Sequence, residues 1–179
     1  PITIERVKGD VLADTGSGSV EVRGVTGNVH VDTGSGSVKV REVKGEKILV
    51  DTGSGGVEVA DVTCDELAVD TGSGGVEASG VKSDEAVIDT GSGGVVLELD
   101  GMGKGRFVID TGSGSIELAL PDGASARIEA DTGSGRVRNE IDDADVRHQE
   151  RDELLMTVGD GEARVTLDAG SGSITIRRL

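Results

Sequence analysis

The residues of this sequence that could carry chemistry are aspartates, and they recur in one short motif. Asp-Thr-Gly-Ser-Gly occurs seven times and returns once as Asp-Ala-Gly-Ser-Gly, with its aspartates at Asp14, Asp32, Asp51, Asp70, Asp89, Asp110, Asp131 and Asp168. The successive spacings are 18, 19, 19, 19, 21, 21 and 37 residues. Carboxylates of this kind could act as a proton-sharing catalytic pair or could coordinate a hard cation such as Ca²⁺.

Catalysis is the weaker of these two possibilities. Asp-Thr-Gly after a hydrophobic strand is also the catalytic loop of aspartic proteases, and Ile109-Asp110-Thr111-Gly112-Ser113 matches that loop locally. Those enzymes need one facing pair of aspartates in a cleft, whereas this motif recurs with a fixed period. The sequence therefore predicts a protein that is not an enzyme and has no catalytic residues. A hydrolase with a site near residues 139–163 is a remote alternative.

The residues around each motif alternate between apolar and polar. With the motif aspartate as position zero, apolar residues occupy −3, −1, +6 and +8 of nearly every repeat. Position +6 is always Val or Ile, at Val20, Val38, Val57, Val76, Val95, Ile116, Val137 and Ile174. Alternation with a period of two predicts two short strands per repeat, each with one buried face. Gly-Ser-Gly between them predicts a corner, because glycine adopts positive φ angles without strain.

A repeat of this length cannot bury its apolar face alone, so the copies must stack. We therefore predict an all-β fold, a parallel β-solenoid of about nine short coils with a Val/Ile/Leu core, each coil lying on the one before it. Right-handed coiling is favoured by the general preference of parallel crossovers. Residues 1–179 are expected to form one domain.

The alternation also predicts where the motif side chains point. The eight aspartates should lie outside the corner as a structural turn ladder, each carboxylate accepting hydrogen bonds from nearby backbone N–H groups. The threonines should point inward and bind backbone through their hydroxyl groups, which disfavours an outward, ice-binding Thr array. Carboxylates about 5 Å apart repel each other by about 0.8 kcal/mol per pair even in water. Weak Ca²⁺ binding at Asp51, Asp70 and Asp89 is therefore the alternative.

No other residue makes a stronger candidate site. His30 and His148 are isolated, and Cys64 is a lone cysteine beside acidic residues, where a thiolate is disfavoured. Gly53-Ser54-Gly55-Gly56 lacks the lysine and the following helix of a phosphate-binding loop. We predict no cofactor.

The formal net charge of −16 limits the partners. Nucleic acids and anionic membrane surfaces both require a basic face, so both are disfavoured. No membrane-inserting segment is evident in this sequence. Ile2-Thr3-Ile4 matches the second strand of a repeat, and the sequence closes at the same phase with Ile174-Thr175-Ile176. Exposed coil ends are either covered by sequence before residue 1 or pair between molecules, and in the second case end-to-end self-association is expected.

Residues 139–163 interrupt the repeat. The segment from Ile141 to Glu153 is highly charged and is predicted to be an exposed excursion with a short helical turn. Leu154–Val158, a Gly-Asp-Gly turn and Ala163–Leu167 then predict a strand, a turn and a second strand.

The serial motif, together with the closing stretch Gly161 to Ile174, resembles a bacterial adhesin-like family of unknown function, DUF4097. The resemblance covers essentially the whole chain and implies a β-helix or a related roll. It also implies a surface scaffold or binding module for an unknown protein or glycan partner, in the bacterial cell envelope or outside the cell. It supplies no catalytic residues.

Overall fold

The computed structural model describes all 179 residues, and every regular element in it is a β-strand. The first strands are β1 (Ile2–Glu5), β2 (Val11–Thr15), β3 (Val20–Thr26), β4 (Val29–Thr33), β5 (Val38–Lys44), β6 (Lys47–Thr52), β7 (Val57–Thr71), β8 (Val76–Thr90) and β9 (Val95–Met102). They are followed by β10 (Arg106–Thr111), β11 (Ile116–Leu120), β12 (Ala126–Thr132), β13 (Val137–Asn139), β14 (Asp145–Gln149), β15 (Glu153–Val158), β16 (Ala163–Ala169) and β17 (Ile174–Arg178). The structure contains no helix that could span a membrane. The predicted all-β class is confirmed.

Most strands pair in parallel and form two stacks along the molecule. The first stack carries the motif aspartates and contains, in spatial order, β2, β4, β6, the second half of β7, the second half of β8, β10, β16 and β12. The second stack contains β1, β3, β5, the first half of β7, the first half of β8, β9, β11, β17 and β13. Equivalent residues pair directly between coils, as Val20 does with Val38. The predicted parallel β-solenoid is confirmed.

The coils do not keep their sequence order to the end of the molecule. Strand β16 pairs with β10 on one side and with β12 on the other, so Val165 lies between Phe107 and Ile128. Strand β17 likewise lies between β11 and β13. The last coil of the chain is therefore inserted between two earlier coils. Our expectation of about nine coils, each on its predecessor, is corrected to about six sequential turns followed by this insertion.

Residues 139–163 form the outer layer at that end. Strand β15 runs antiparallel to β12 and buries Leu154, Met156 and Val158. Strand β14 pairs antiparallel with β15 and is exposed along its whole length. The strand, turn and strand predicted for Leu154–Leu167 are confirmed, but the two strands lie on opposite sides of β12. The predicted helical turn is wrong, because this segment extends into β14 and completes its backbone hydrogen bonds with β15.

Two backbone corners repeat in successive coils. The second glycine of the motif has a positive φ, as at Gly36 (144°) and Gly55 (146°). A further corner in the second stack has Gly24, Glu42 and Asp61 in the left-handed region, with φ of 66°, 55° and 54°. Between the corners, one hydrophobic cluster of 46 buried residues runs from β2 to β17.

Candidate functional site

The motif threonines connect neighbouring coils from the inside. Thr52 is fully buried, and its hydroxyl donates a hydrogen bond of 3.2 Å to the carbonyl oxygen of Gly36 in the neighbouring coil. The same bond recurs between equivalent residues at Thr33, Thr71, Thr90, Thr111 and Thr132. The inward threonine ladder is confirmed. Since each buried hydroxyl is satisfied within the fold, this column has a structural role.

The motif aspartates form a second column on the outer surface of the first stack. We call it the Asp column; in spatial order it contains Asp14, Asp32, Asp51, Asp70, Asp89, Asp110, Asp168 and Asp131. All eight side chains are exposed. The hydrogen bonds expected from corner N–H groups to these carboxylates are not formed. The N–H of Gly53, for example, donates to the carbonyl oxygen of Thr33 at 3.1 Å, because the inter-coil ladder continues into the corner.

The close stacking of like charges changes the acidity of this column. Partial burial, and then the negative charges of Asp70 and Asp32, raise the pKa of Asp51 above its ordinary value. Partial burial, and then Asp168 and Asp89, raise the pKa of Asp110. No ion pair in the structure includes an aspartate of the column. The column is therefore a line of carboxylates without a counter-charge from the chain itself.

This repulsion leads to a prediction about pH. A folded-state pKa above the unfolded value means that ionisation of Asp51 destabilises the fold as pH rises through the folded pKa. Asp51→Asn should therefore raise the free energy of unfolding at pH 7 by a few tenths of a kcal/mol, since solvent screens so exposed a group. The gain should disappear near pH 3, where native Asp51 is itself neutral. Urea unfolding at both pH values measures it; equal gains at both would contradict the charge argument.

A line of mostly apolar side chains lies beside the Asp column on the same surface. We call it the outer stripe; in register it contains Leu12, His30, Leu49, Ala68, Val87 and Val108. Leu12 is 73% exposed and Val87 40% exposed. A shallow groove of about 270 Å³ follows the line between the outer stripe and the Asp column, bordered by Leu49 and Ala68 on one side and Asp51 and Asp70 on the other. An apolar strip next to unpaired charges is a feature of binding surfaces.

The outer surface of the second stack has a different character. Several of its basic side chains are paired: Arg23 with Glu42 at 2.8 Å, Lys39 with Glu58 at 3.0 Å, and Arg41 with the same glutamate. At the other end of this stack, Arg177 lies 2.6 Å from Glu98 and 2.7 Å from Glu117. The chain therefore neutralises much of the charge on its second stack and leaves the Asp column uncompensated on its first.

The remaining sequence candidates lie apart from one another. His30 belongs to the outer stripe, whereas His148 lies on the exposed β14, 3.7 Å from both Glu150 and Glu153. Cys64 is buried, and burial raises the pKa of its thiol, so the thiolate is disfavoured. No three His, Cys, Asp or Glu side chains are grouped so that they could hold a metal ion. Ca²⁺ binding along Asp51, Asp70 and Asp89 stays a hypothesis.

A depression of about 350 Å³ lies beside Glu162, at the end of the segment proposed for a hydrolase alternative. Its one basic side chain, Lys104, forms an ion pair of 2.7 Å with Glu162, and this hydrogen bond raises the pKa of the lysine. A lysine held in its charged form is a poor nucleophile or base. Lys104 is therefore not an activated group in this depression.

The stacked coils, the threonine ladder and the glycine corners define a parallel β-solenoid repeat protein. The family model Toastrack DUF4097 matches residues 2–177, so the chain belongs to that family, whose function is unknown. The resemblance noted in the sequence is thus confirmed. No curated protein and no solved structure matches the chain.

Sequence reasoning identified the Asp column but missed the outer stripe. The signal was present, because position −2 of the repeats contains Leu12, His30, Leu49, Ala68, Val87 and Val108 in succession. Period-two alternation predicts strands with one buried and one polar face, and apolar residues of outward parity do not follow that pattern.

Proposed function

We propose that this chain is a non-enzymatic surface scaffold and binding module, adhesin-like in the sense that it presents a long rigid face to a protein or glycan partner. The observation that carries the proposal is the outer surface of the first stack, where the unpaired Asp column runs beside the outer stripe, which is exposed at Leu12, His30 and Val87 and half-buried elsewhere. A surface with both features is suited to binding a macromolecule along its length.

The regular backbone supports this function. The column residues are held by parallel pairing to both neighbouring coils, so the spacing of their charges is fixed before a partner arrives. A preorganised face loses little conformational entropy on binding. The bacterial cell envelope or its exterior is the location that suits such a module. Association of two molecules through β1 and β2, which each pair with one strand, would lengthen the same face.

A retention experiment tests the proposal. The full chain and the variant D51N/D70N/D89N are applied in solution to a glycan array. Both proteins are also immobilised and exposed to separated envelope proteins. We expect a ligand that the native chain retains and that the variant binds about tenfold more weakly, since three exposed charge contacts of a few tenths to 1 kcal/mol each are lost.

Glu77→Gln is the matched control, because Glu77 is exposed on the second stack and belongs to no ion pair. Retention that is equal in all three proteins, or no retention of any ligand, would overturn the proposal. Repeating the experiment with Ca²⁺ and with a chelator separates direct binding from the Ca²⁺ alternative.

A further inference from the structure

The composition of the first stack's outer surface says which kind of partner it fits. The outer stripe supplies apolar contact at Leu12, Leu49, Val87 and Val108, and the Asp column adds a parallel line of negative charge. Stripe and column lie two residues apart on each strand, or about 6.7 Å. A complementary partner therefore has an apolar line with basic side chains beside it.

The repeat distance of this surface distinguishes a helix from a strand. Stacked strands lie about 4.8 Å apart, so both lines repeat at that distance along the molecule. An α-helix laid along the stack advances about 5.4 Å per turn, so it drifts by about 0.6 Å per coil and by about 3 Å over the five steps between six coils. An extended strand repeats about every 6.7 Å and would lose register within two coils. The i, i+3/i+4 and i+7 residues of a helix therefore follow the outer stripe over about three successive coils, which is closer than a strand can follow it.

The length of the stripe sets the length of that helix. The stripe covers six coils, from Leu12 to Val108, and then ends, because Thr166 and Glu129 occupy the same position in the last two coils. Six coils span about 24 Å, which is the length of a helix of about 16 residues.

The partner should be basic, because the residues of the Asp column form no ion pairs within the chain. Basic residues of the second stack such as Lys39 and Arg41 pair with Glu58 instead. The one ion pair on the first stack's strands, between Lys47 and Glu66 at 2.7 Å, lies on the far side of the outer stripe from the Asp column. The cations that complement the column must therefore come from another molecule.

We propose that the outer stripe and the Asp column together bind a basic amphipathic α-helix of a partner protein, laid along the stack with its apolar residues on the stripe and its Lys or Arg residues on the column. This inference rests on the proposed function and specifies its partner. Helix-in-groove binding of this kind uses apolar anchors for affinity and flanking charges for orientation.

The test uses the full chain and a synthetic 18-residue peptide with leucines on one helical face and lysines on the adjoining face. A shuffled peptide of the same composition, in which leucine and lysine no longer segregate, is the control for charge alone. Fluorescence anisotropy measures both affinities at about 0.15 M salt, where distant charges are screened. We expect the amphipathic peptide to bind at least tenfold more tightly than the shuffled one.

Variants then locate the binding site. L49S/V87S on the stripe and D51N/D70N/D89N on the column should each weaken binding about tenfold, whereas Val96→Ser and Glu77→Gln on the second stack should change it less than twofold. Ala68→Lys places a cation in the groove and should abolish binding. Circular dichroism confirms that each variant is folded; all of these side chains have outward parity on their strands.

Equal binding of the two peptides, or equal losses on both stacks, would overturn the helix proposal. If neither peptide binds while the retention experiment yields a glycan or an extended peptide, the helix proposal fails and the binding function stands. If the immobilised chain retains nothing at all, the proposed function itself fails.

Discussion

Deletion of residues 163–179 is expected to unfold residues 121–162 as well as removing the last coil. Strand β12 pairs only with β15 and β16, and β13 pairs only with β17. Without β16 and β17, the whole segment from β12 to β15 therefore has no strand pairing to the rest of the molecule. A deletion of one coil should cost the protein about three coils of structure.

The loss should be large in energy as well as in length. Val165, Leu167, Ile174 and Ile176 are buried between two coils and contact side chains on both sides. Burial of each such side chain contributes about 1.5–3 kcal/mol, so the four together are comparable with the whole stability of a typical domain. The new edge at β10 and β11 would also expose unpaired backbone and promote aggregation.

Hydrogen exchange is the measurement that separates the two possible coil orders. In the observed order, amides of β12, β13 and β15 should lose their protection in the truncated protein. If the coils followed sequence order, β12 would pair with β10 and would stay protected. Deletion of residues 1–9 is the control, because β1 pairs only with β3 and its removal should affect only that strand.

The regular part of the fold could be predicted because each coil repeats the same local pattern of alternating apolar residues and corner glycines. Alternation around each motif fixed which side chains are buried, and Val or Ile at position +6 is buried in all eight repeats. The glycine corners and the inward threonines followed from the same alternation. Parallel stacking followed in turn, because short apolar coils can bury their surface only against copies of themselves.

The order of the last coils could not be predicted for the same reason. Val165 and Leu167 present to their neighbours the same kind of apolar surface as Phe107 and Ile109 or Ile128 and Ala130. Residues that are equivalent in every coil cannot specify which coil comes next. The 37-residue spacing between Asp131 and Asp168 is the one feature of the sequence that indicates a change in coil order. It leaves enough residues for the chain to pass over β12 and return.

For the candidate site, the sequence located the Asp column but not its surroundings. The outward position of the aspartates depended on local alternation alone. The absence of a counter-charge depended on which basic residues pair elsewhere, and those pairs join residues such as Arg177 and Glu98, 79 positions apart. Contacts of that kind require the three-dimensional arrangement of both stacks.

Replacement of Gly55 by alanine is expected to destabilise the protein by about 3 kcal/mol or more. Gly55 has a φ of 146°, which L-residues with side chains rarely adopt, and such strain costs about 1–3 kcal/mol. A Cβ atom at this position would also overlap the Gly36 carbonyl group of the neighbouring coil, with only 2.6 Å to its carbon atom. Forced overpacking of that kind costs about 1–3 kcal/mol more.

The effect should extend beyond the corner itself. The carbonyl oxygen of Gly55 accepts the hydroxyl hydrogen bond of Thr71 at 3.3 Å, and the N–H of Gly55 donates to Ser73 at 3.0 Å. Both bonds join the corner to the coil on the side away from Gly36, so a displaced corner weakens that contact as well. For a chain of this size, 3 kcal/mol corresponds to a fall in Tm of roughly 6–12 °C, which calorimetry resolves easily.

Gly56→Ala is the matched control one residue further along. Gly56 has no positive φ, and a Cβ atom there would meet nothing closer than the Gly75 carbonyl oxygen at 3.6 Å, an ordinary contact. Ser37 occupies the equivalent position in the neighbouring coil, so a side chain is already accepted at this place in the corner. The control should change Tm by no more than about 2 °C, as surface substitutions usually do. Similar falls in Tm for the two variants would mean that the close approach of neighbouring corners does not limit the sequence there.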